Sequence, residues 1–331
     1  MLEHLHQHLG IFVCPRCGSR LTLKQKNIRC LNHHRFKFQH GIPLMFVSHQ
    51  ASSTNTTSRI KQFYEQTPFP NYAGLEKPAD LIDKAEANPF LKALNREVSF
   101  NTRILEVGCG TGQLSNFLGL AHRYLFATDI SLNSLKLGQE FKTRHQLNRV
   151  GFYQMNLFRP IFKPQTFSVV IANGVLHHTE DPFSGFQAIA DLVEPGGFIV
   201  LGLYHRYGRL LTHLRRLIFK VTGNRFWFLD PQLRLRFTPL QRQAWLLDQY
   251  YNPHESSHTL KEVQAWFNQA DIEFVTSLPQ LKAFSPYLPE NLFAVASPGH
   301  WLDHLYVNLK LMATCSREGG VFIIIGRRKP K

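Results

Sequence analysis

The chain has 331 residues, 44% of them hydrophobic, with 38 basic against 23 acidic side chains and a formal net charge of +15. It contains no run of eighteen apolar residues, and five cysteines in so long a chain do not form a disulfide framework. A membrane-spanning helix and a disulfide-stapled secreted fold are therefore excluded, and one large domain with a smaller one is expected. The positive charge favours nucleic acid, an acidic membrane surface or an acidic substrate as partner, or simply gives a basic surface.

The first six residues lack the charged region and the apolar stretch of a signal peptide. Together with the odd number of cysteines, this predicts a cytoplasmic protein in a reducing environment.

A metal-binding pattern opens the chain. Cys14 and Cys17 are separated by two residues, and Cys30 follows twelve residues later, just ahead of His33 and His34. Three thiolates and one imidazole complete a tetrahedral Zn²⁺ site, and the spacing leaves the fourth ligand open between the two histidines. Residues 1–50, with short strands at 21–23 and 27–29, are predicted to form a zinc-ribbon-like module that the metal stabilises. Free thiols in a small core are the alternative.

The segment from Cys30 to Phe36 resembles the zinc ribbon at the start of the large-subunit rRNA guanine methyltransferases. In that family a C-x-x-C pair is followed by C-x-x-x-H-x-F. The resemblance implies His34 as the fourth ligand. It also implies a module that either faces RNA or has a structural role only.

Residues 51–97 are predicted to be a linker followed by N-terminal helices. Small polar residues fill positions 52–58, and a helix is expected to run through Ile60, Phe63 and Tyr64. Two prolines in the segment 68–72 end that helix and force an extended strip. Tyr64 and Tyr72 are candidates for the wall of a ligand pocket.

A glycine turn then joins an apolar strand to a helix. The strand carries Glu106, and Gly108, Gly110 and Gly112 follow in G-x-G-x-G spacing. The dinucleotide fingerprint needs a third glycine where Gln113 stands, which disfavours a nicotinamide oxidoreductase. The motif resembles the first motif of class I S-adenosylmethionine (SAM) methyltransferases, an acid followed by x-G-x-G-x-G. Glycines let the backbone approach SAM closely, and an acid at the strand end can accept from its ammonium group.

Three further residues are predicted to bind SAM. The next strand ends at Asp129, seventeen residues beyond Gly112, and a carboxylate there accepts the ribose hydroxyls. Asn156 follows a third strand, where relatives commonly carry an aspartate that accepts from the adenine amino group. Asn173 ends a fourth strand, at the point where open α/β sheets bind ligands.

The residues Val175, Leu176, His177 and His178 resemble the V-L-H-H segment of small-molecule methyltransferases, such as those of quinone biosynthesis. The N-P-P-Y signature of enzymes that methylate amino groups in nucleic acids is absent. His177 is the candidate general base, since histidine titrates near neutrality. The alternative is that both histidines satisfy backbone groups or stack on the substrate.

The remaining elements complete the predicted fold. A fifth strand is expected at 198–203, and a basic helical insertion at about 206–257 is predicted to cap the pocket, lie on a membrane or track a phosphate backbone. Residues 249–254 are predicted to form a loop. Strands at 272–275 and 321–325, with a helix at 301–311 between them, complete a SAM-binding domain at 98–331. Strand–helix alternation and the resemblance together predict an α/β, Rossmann-like, seven-stranded mostly parallel sheet.

The sequence therefore predicts a SAM-dependent methyltransferase with structural Zn²⁺. A small-molecule acceptor ranks ahead of RNA, because the V-L-H-H segment lies at the reacting site and net charge does not. The alternatives are an rRNA or tRNA methyltransferase, favoured by the ribbon and the charge, and a non-catalytic protein that binds SAM or RNA.

Overall fold

The computed structural model describes residues 3–24, 27–48, 56–234, 238–314 and 320–330. Among these residues, the N-terminal module contains one short α-helix, a 3₁₀ turn at Leu9–Ile11, a three-stranded antiparallel sheet and a two-stranded one. These elements are α1 (Glu3–Gln7), β1 (Leu21–Lys24), β2 (Asn27–Cys30), β3 (Arg35–Phe36), β4 (Phe38–Gln39) and β5 (Ile42–Pro43). Both strands predicted in the ribbon are present. Residues 52–55 of the polar stretch predicted at 52–58 lie outside the described residues.

Three helices precede the main sheet: α2 (Thr56–Gln66), α3 (Pro78–Glu86) and α4 (Pro89–Glu97). The start of α4 follows from its sequence, since Asn88 accepts from the backbone N–H groups of Phe90 and Leu91 at 3.0 and 3.2 Å. Proline at the first helical position adds to this cap, because its missing N–H would have no intrahelical partner there.

The main domain begins with alternating strands and helices. They are β6 (Arg103–Val107), α5 (Gln113–Leu120), β7 (Tyr124–Asp129), α6 (Leu132–Arg144), β8 (Val150–Gln154), β9 (Phe167–Asn173), α7 (Pro182–Ala190) and β10 (Val193–Tyr204). Asp181 caps α7, accepting the N–H of Ser184 at 3.0 Å. The fifth strand begins at Val193, ahead of the predicted 198, because it continues through a register shift that contains Gly196 and Gly197.

The segment after β10 contains helices, and two strands follow it. The elements are α8 (Leu210–Thr222), α9 (Pro231–Arg234), α10 (Pro239–Tyr251), α11 (Leu260–Gln269), β11 (Ile272–Leu278), α12 (Trp301–Thr314) and β12 (Val321–Arg328). The predicted loop at 249–254 is wrong in its first half, since Gln249, Tyr250 and Tyr251 form the last turn of α10.

The seven long strands form one sheet in the order β11-β12-β10-β9-β6-β7-β8. The β6, β7, β8, β9 and β10 strands are parallel, and β12 is inserted antiparallel between β10 and β11. This confirms the predicted Rossmann-like, mostly parallel sheet. Because parallel strands end at the same edge, the ends of β6, β7, β9 and β10 meet there and can build a ligand site.

The N-terminal module packs on the edge strand β8. Phe12 is fully buried, and its ring centroid lies 5.0 Å from that of Tyr153 and 4.9 Å from that of Phe162. Leu44 bridges Gln154 in parallel. The module therefore shares a hydrophobic core with the main sheet and covers an edge that would otherwise expose unpaired backbone groups. Across the described ranges, the helices are all too short or too polar to cross a membrane.

Candidate cofactor and acceptor site

The glycine turn adopts a conformation that few other residues tolerate. Gly110 and Gly112 have φ values of +54° and +70°, in the left-handed region. A Cβ atom at Gly110 would collide with the carbonyl oxygen of Phe69, and one at Gly112 with the ring of Phe152. The glycines are therefore required both by backbone conformation and by close packing.

The strip that was predicted at 68–72 lies along this turn. The Thr111 hydroxyl donates to the carbonyl oxygen of Pro70. The amide of Gln113 donates to the carbonyl oxygen of Asn71 at 2.7 Å. Tyr72 accepts from Asn116 at 2.8 Å but does not line the cavity described below. The strip thus holds the turn from outside the sheet.

Asp129 lies at the end of β7, next to the glycine turn. Its Oδ2 accepts the N–H of Gly110 at 2.9 Å, and its Oδ1 accepts the N–H of Ser131 at 2.8 Å. Burial raises the pKa of Asp129 to about 6. The carboxylate thus faces the turn in a position from which it can accept hydroxyl donors.

Glu106 is a second buried carboxylate in the same cavity wall. The Ser115 hydroxyl donates to its Oε2. Burial raises the pKa of Glu106 to about 7, and this is the largest contribution to its shift. A cationic group in the cavity would stabilise the ionised form, since an opposite charge nearby favours a carboxylate.

The cavity at the carboxyl ends of the strands has a volume of about 480 Å³. This is within the range of small-molecule sites, roughly 300–1,000 Å³. Six of the seven predicted SAM-binding residues line it, namely Glu106, Gly108, Gly110, Asp129, Asn156 and Asn173. Gly112 does not line it, because it faces Phe152 behind the turn.

The amide of Asn156 already has two backbone partners. Its Nδ2 donates to the carbonyl oxygen of Val47 at 2.9 Å, and its Oδ1 accepts the N–H of Phe158 at 3.1 Å. These bonds fix the orientation of the amide, with the oxygen as acceptor. A carbonyl oxygen has a second lone pair, so Oδ1 can still accept from a ligand.

Another part of the cavity wall is formed by side chains from α2, β10 and α10. Tyr64 donates to Oδ1 of Asp248 at 2.9 Å. Gln249 donates to Oδ2 of Asp248 at 3.0 Å and to the Tyr204 hydroxyl at 2.9 Å. The indole of Trp245 completes this wall. We call this part of the cavity wall, formed by Tyr64, Tyr204, Trp245, Asp248 and Gln249, the acceptor end.

The two neighbouring histidines occupy different positions. His177 is fully buried, its ring stacks on Tyr204 at 3.8 Å between centroids, and neither ring nitrogen has a hydrogen-bond partner among the described residues. His178 lines the cavity, and its Nδ1 lies 2.9 Å from the carbonyl oxygen of His254. The structure therefore does not bring His177 to the cavity wall and brings His178 there instead.

A buried ion pair holds the cap formed by α8 and α10. Arg209 has no exposed surface and donates to Glu255 through Nε at 2.9 Å and through a terminal nitrogen at 2.6 Å. It also donates to Gln249 at 2.7 Å, and its guanidinium lies 3.8 Å from the centroid of the Tyr204 ring. Arg216 is a second donor to Glu255 at 2.6 Å. Arg209 thus positions Tyr204 and Gln249, two residues of the cavity wall.

The four predicted metal ligands come together in the N-terminal module. The ligand atoms of Cys14, Cys17, Cys30 and His34 all lie within 4.8 Å of one another. His34 Nδ1 is 3.5 Å from the sulfur of Cys14 and 3.3 Å from that of Cys30. Zn–S and Zn–N bonds of about 2.3 and 2.0 Å place tetrahedral ligand atoms roughly 3.5–3.8 Å apart, so this donor set fits Zn²⁺. The other candidate, His33, is exposed.

Several cavity residues were not among the predicted site residues. Trp245, Asp248 and Gln249 lie on α10. Their approach to the cavity depends on how α10 packs, and periodicity does not encode this. Of the two tyrosines named as candidates for the pocket wall, Tyr64 lines the cavity and Tyr72 does not. His178 had the same signal as His177, and only packing distinguishes the two.

Comparisons with known proteins agree with this geometry. A family model described as "Methyltransferase domain" matches residues 105–199. An uncharacterised protein of Synechococcus sp. is 28% identical over 198 residues, covering 52% of this chain and 48% of the relative. The chain thus spans about half the length of that relative. A ubiquinone biosynthesis O-methyltransferase of Vibrio cholerae is 25% identical over 218 residues, covering 61% of this chain and 86% of that enzyme.

The fold resembles that of a solved methyltransferase. Phosphoethanolamine N-methyltransferase 2 of Haemonchus contortus, in complex with phosphomonomethylethanolamine and S-adenosylhomocysteine, superposes with a TM-score of 0.50 at 14% identity. The match covers 86% of this chain and 61% of the Haemonchus chain. At this identity the likeness concerns the fold alone. Together with the family match over residues 105–199 and the glycine turn beside two carboxylates, it supports a SAM-dependent methyltransferase domain in this chain.

Proposed function

We propose that the chain transfers the methyl group of SAM to a hydroxyl group of a small, largely apolar acceptor. The observation that carries this proposal is the position of His178 in the cavity wall, where its ring lies beside those of Tyr64 and Tyr204. Its Nδ1 is engaged by the carbonyl oxygen of His254, so Nδ1 carries the proton and Nε2 is the basic nitrogen left for a ligand. The name of the Vibrio relative, an O-methyltransferase, supports a hydroxyl acceptor.

In the proposed complex, SAM lies against the glycine turn. Glu106 accepts from the ammonium group of SAM, Asp129 from its ribose hydroxyls, and Asn156 from its adenine amino group. Asn173 and the backbone at Gly108 and Gly110 complete the pocket. A negatively charged hydrogen-bond acceptor forms stronger hydrogen bonds than a neutral one. This favours the carboxylates of Glu106 and Asp129 for these two roles.

The reaction is an in-line displacement on carbon. The acceptor oxygen forms the new C–O bond while the C–S bond of SAM breaks and S-adenosylhomocysteine leaves as a neutral thioether. Nε2 of His178 takes the proton of the hydroxyl. Burial lowers the pKa of His178, so the ring is neutral and able to accept a proton at pH 7. The chain's main contribution is to hold donor and acceptor in line.

His177 is proposed to act indirectly. Its ring stacks on Tyr204, whose hydroxyl accepts from Gln249, so His177 supports the wall of the acceptor end. With both ring nitrogens fully buried and off the cavity wall, it is a positioning residue in this proposal, and the role of base passes to His178.

RNA is the alternative acceptor, and the net charge of +15 favours it. The enclosed acceptor end favours a small molecule, because α2 and α10 meet over it through Tyr64 and Asp248. The zinc ribbon packs on β8 through Phe12 and Leu44, which is consistent with a structural role for that module.

A labelling experiment tests the proposal. The purified chain is incubated with methyl-labelled SAM in two arms, one with total RNA and one with a panel of phenols and other apolar hydroxyl compounds. Label in the organic fraction is expected, and label in RNA would overturn the choice of acceptor. Calorimetric binding of S-adenosylhomocysteine without transfer in either arm would support the non-catalytic alternative.

A further inference from the structure

The helix α8 presents an apolar stripe to solvent. Its buried side chains are Thr212 and Phe219, which lie on one face. The opposite face carries large apolar residues at a spacing of three or four, with exposed fractions between 48% and 77%. They are Leu210, Leu214, Leu217 and Val221. An amphipathic helix of a globular protein normally turns this stripe toward the core, so the reversed orientation requires another partner.

The helix α12 has the same property. Val307 and Leu311 are buried on one face. The opposite face exposes a second row of large apolar residues. They are Trp301, Leu302, Leu305, Leu309 and Met312, with exposed fractions between 39% and 70%. We call the exposed apolar residues of α8 and α12 together the outer apolar surface.

Both helices emerge from the same end of the sheet. The last residue of β10, Tyr204, pairs with the first residue of β12, Val321, so α8 begins just after this pair and α12 ends just before it. The Nε2 atom of His205 lies 3.1 Å from Oδ1 of Asn308 on α12. Tyr204 and Val321 also line the cavity. The outer apolar surface is therefore carried by the segments that adjoin the acceptor end.

Positive charge accompanies the surface. Residues 206–247 contain nine basic side chains and one acidic side chain, Asp230. Three of the nine pair with acidic residues outside this range, Arg206 with Glu262 and both Arg209 and Arg216 with Glu255. Asp230 is buried and accepts from Trp245 and Tyr250, both at 2.9 Å, so its charge is directed inward. Lys220 and Arg225 are exposed at and just after the end of α8, and Trp227, two residues further along the chain, is exposed as well.

We propose that the outer apolar surface docks onto a lipid bilayer with anionic headgroups. Leucine-rich stripes edged by lysine and arginine, with tryptophan at their ends, are typical of helices that lie in the membrane interface. The thirteen residues of α8 span only about 20 Å, too short to cross the hydrocarbon core, so the helix would lie flat. A protein partner or a second copy would use the leucines but would not require this excess of positive charge.

Co-sedimentation of the full chain with vesicles tests the proposal. Vesicles of phosphatidylcholine alone are compared with vesicles that also contain 30% phosphatidylglycerol, a composition of about one anionic lipid in three. The triple variant Leu214→Gln, Leu217→Gln, Val221→Gln is expected to lose at least tenfold in binding to the anionic vesicles. A variant with Leu305→Gln and Leu309→Gln is expected to lose a smaller factor. Raising the salt concentration should weaken binding of the wild type.

The matched control replaces three exposed apolar residues elsewhere, in Ile82→Gln, Phe100→Gln and Val295→Gln, and should bind as the wild type does. Equal binding by the α8 variant and the wild type would overturn the proposal, since charge alone would then explain it. A concentration-dependent dimer in analytical ultracentrifugation, abolished by the α8 variant and without vesicle binding, would also overturn it. Binding of S-adenosylhomocysteine by each variant verifies its fold and is independent of this outcome.

Discussion

The hydroxyl of Tyr64 donates to a carboxylate oxygen of Asp248 at 2.9 Å, although the two residues are 184 positions apart in the chain. Asn252 donates to the same hydroxyl at 2.9 Å. These bonds join α2 to the end of α10 across the cavity. Because both helices lie outside the sheet, this contact determines how far the acceptor end is closed.

Replacing Tyr64 by phenylalanine should open the acceptor end. The variant loses both hydrogen bonds and leaves a buried oxygen of Asp248 without this donor, a cost of about 1–3 kcal/mol. The acceptor KM is expected to rise severalfold, while calorimetric affinity for S-adenosylhomocysteine changes little. Tyr72→Phe is the matched control, since Tyr72 bonds Asn116 outside the cavity. An equal rise in KM in both variants would contradict the assignment.

Alanine at position 110 should abolish tight cofactor binding. The added Cβ collides with the carbonyl oxygen of Phe69, and a left-handed φ adds about 1–2 kcal/mol of strain. Since 1.4 kcal/mol corresponds to a factor of ten, we expect at least tenfold weaker binding of S-adenosylhomocysteine in calorimetry. Gly10→Ala is the control, because a Cβ there meets nothing within 4 Å. Unchanged affinity in Gly110→Ala would argue against a cofactor site at this turn.

Much of the sheet could be predicted because local patterns specify it. Apolar runs that end in Glu106, Asp129 and Asn173 identify three strands and the edge where they end. The spacing between Gly112 and Asp129 also predicts that these two segments meet. The metal cluster follows in the same way, from the short separation of Cys14 and Cys17.

The acceptor end could not be predicted in the same way. It depends on contacts between segments far apart in sequence, such as Tyr64 with Asp248 and Arg209 with Glu255. The orientation of α8 also escaped prediction, because its leucine spacing is the same whether the stripe faces the core or the solvent. Distinguishing His177 from His178 needs the packing of Tyr204, which the sequence pattern does not contain.

Glu106→Gln should stabilise the ligand-free protein while weakening cofactor binding. The pKa of Glu106 is raised from 4.5 to about 7 by burial, so the folded state binds a proton more tightly than the unfolded state. Stability therefore falls as pH rises from about 4.5 to about 7, and the neutral glutamine removes this loss. We expect a Tm several degrees above wild type at pH 8 and no difference near pH 4.5.

Calorimetry with SAM completes this test, since the glutamine variant loses the charge that faces the ammonium group in the proposed complex. Weaker binding together with a higher Tm at pH 8 is expected. If the variant is less stable than wild type at pH 8, the ionised carboxylate of Glu106 does not destabilise the folded state, and the prediction is wrong.

Removing the metal should lower the stability of the main domain as well as that of the ribbon. Cys30→Ser, or a strong chelator, is expected to bring the zinc-to-protein ratio from about one to near zero and to lower the Tm by several degrees. The effect reaches the main domain because Phe12 and Tyr153 share a core across the module boundary. Cys109→Ala is the control, since this thiol lies in the glycine turn outside the cluster. Full zinc content in Cys30→Ser would refute the ligand set.

His178→Gln should separate chemistry from binding. Loss of a general base costs roughly 10²–10⁴-fold in rate, so kcat for the acceptor identified by labelling should fall by at least a hundredfold with S-adenosylhomocysteine affinity retained. Burial lowers the pKa of His178, and the wild-type rate should therefore decline on the acid side only below pH 6.5, where the ring gains a proton. His177→Gln is the comparison, because His177 stacks on Tyr204 away from the cavity. The His177→Gln variant should be less stable and have a higher KM for the acceptor, while the acid side of its pH–rate profile stays as in wild type. A larger loss of kcat in His177→Gln than in His178→Gln would reverse the assignment of the base.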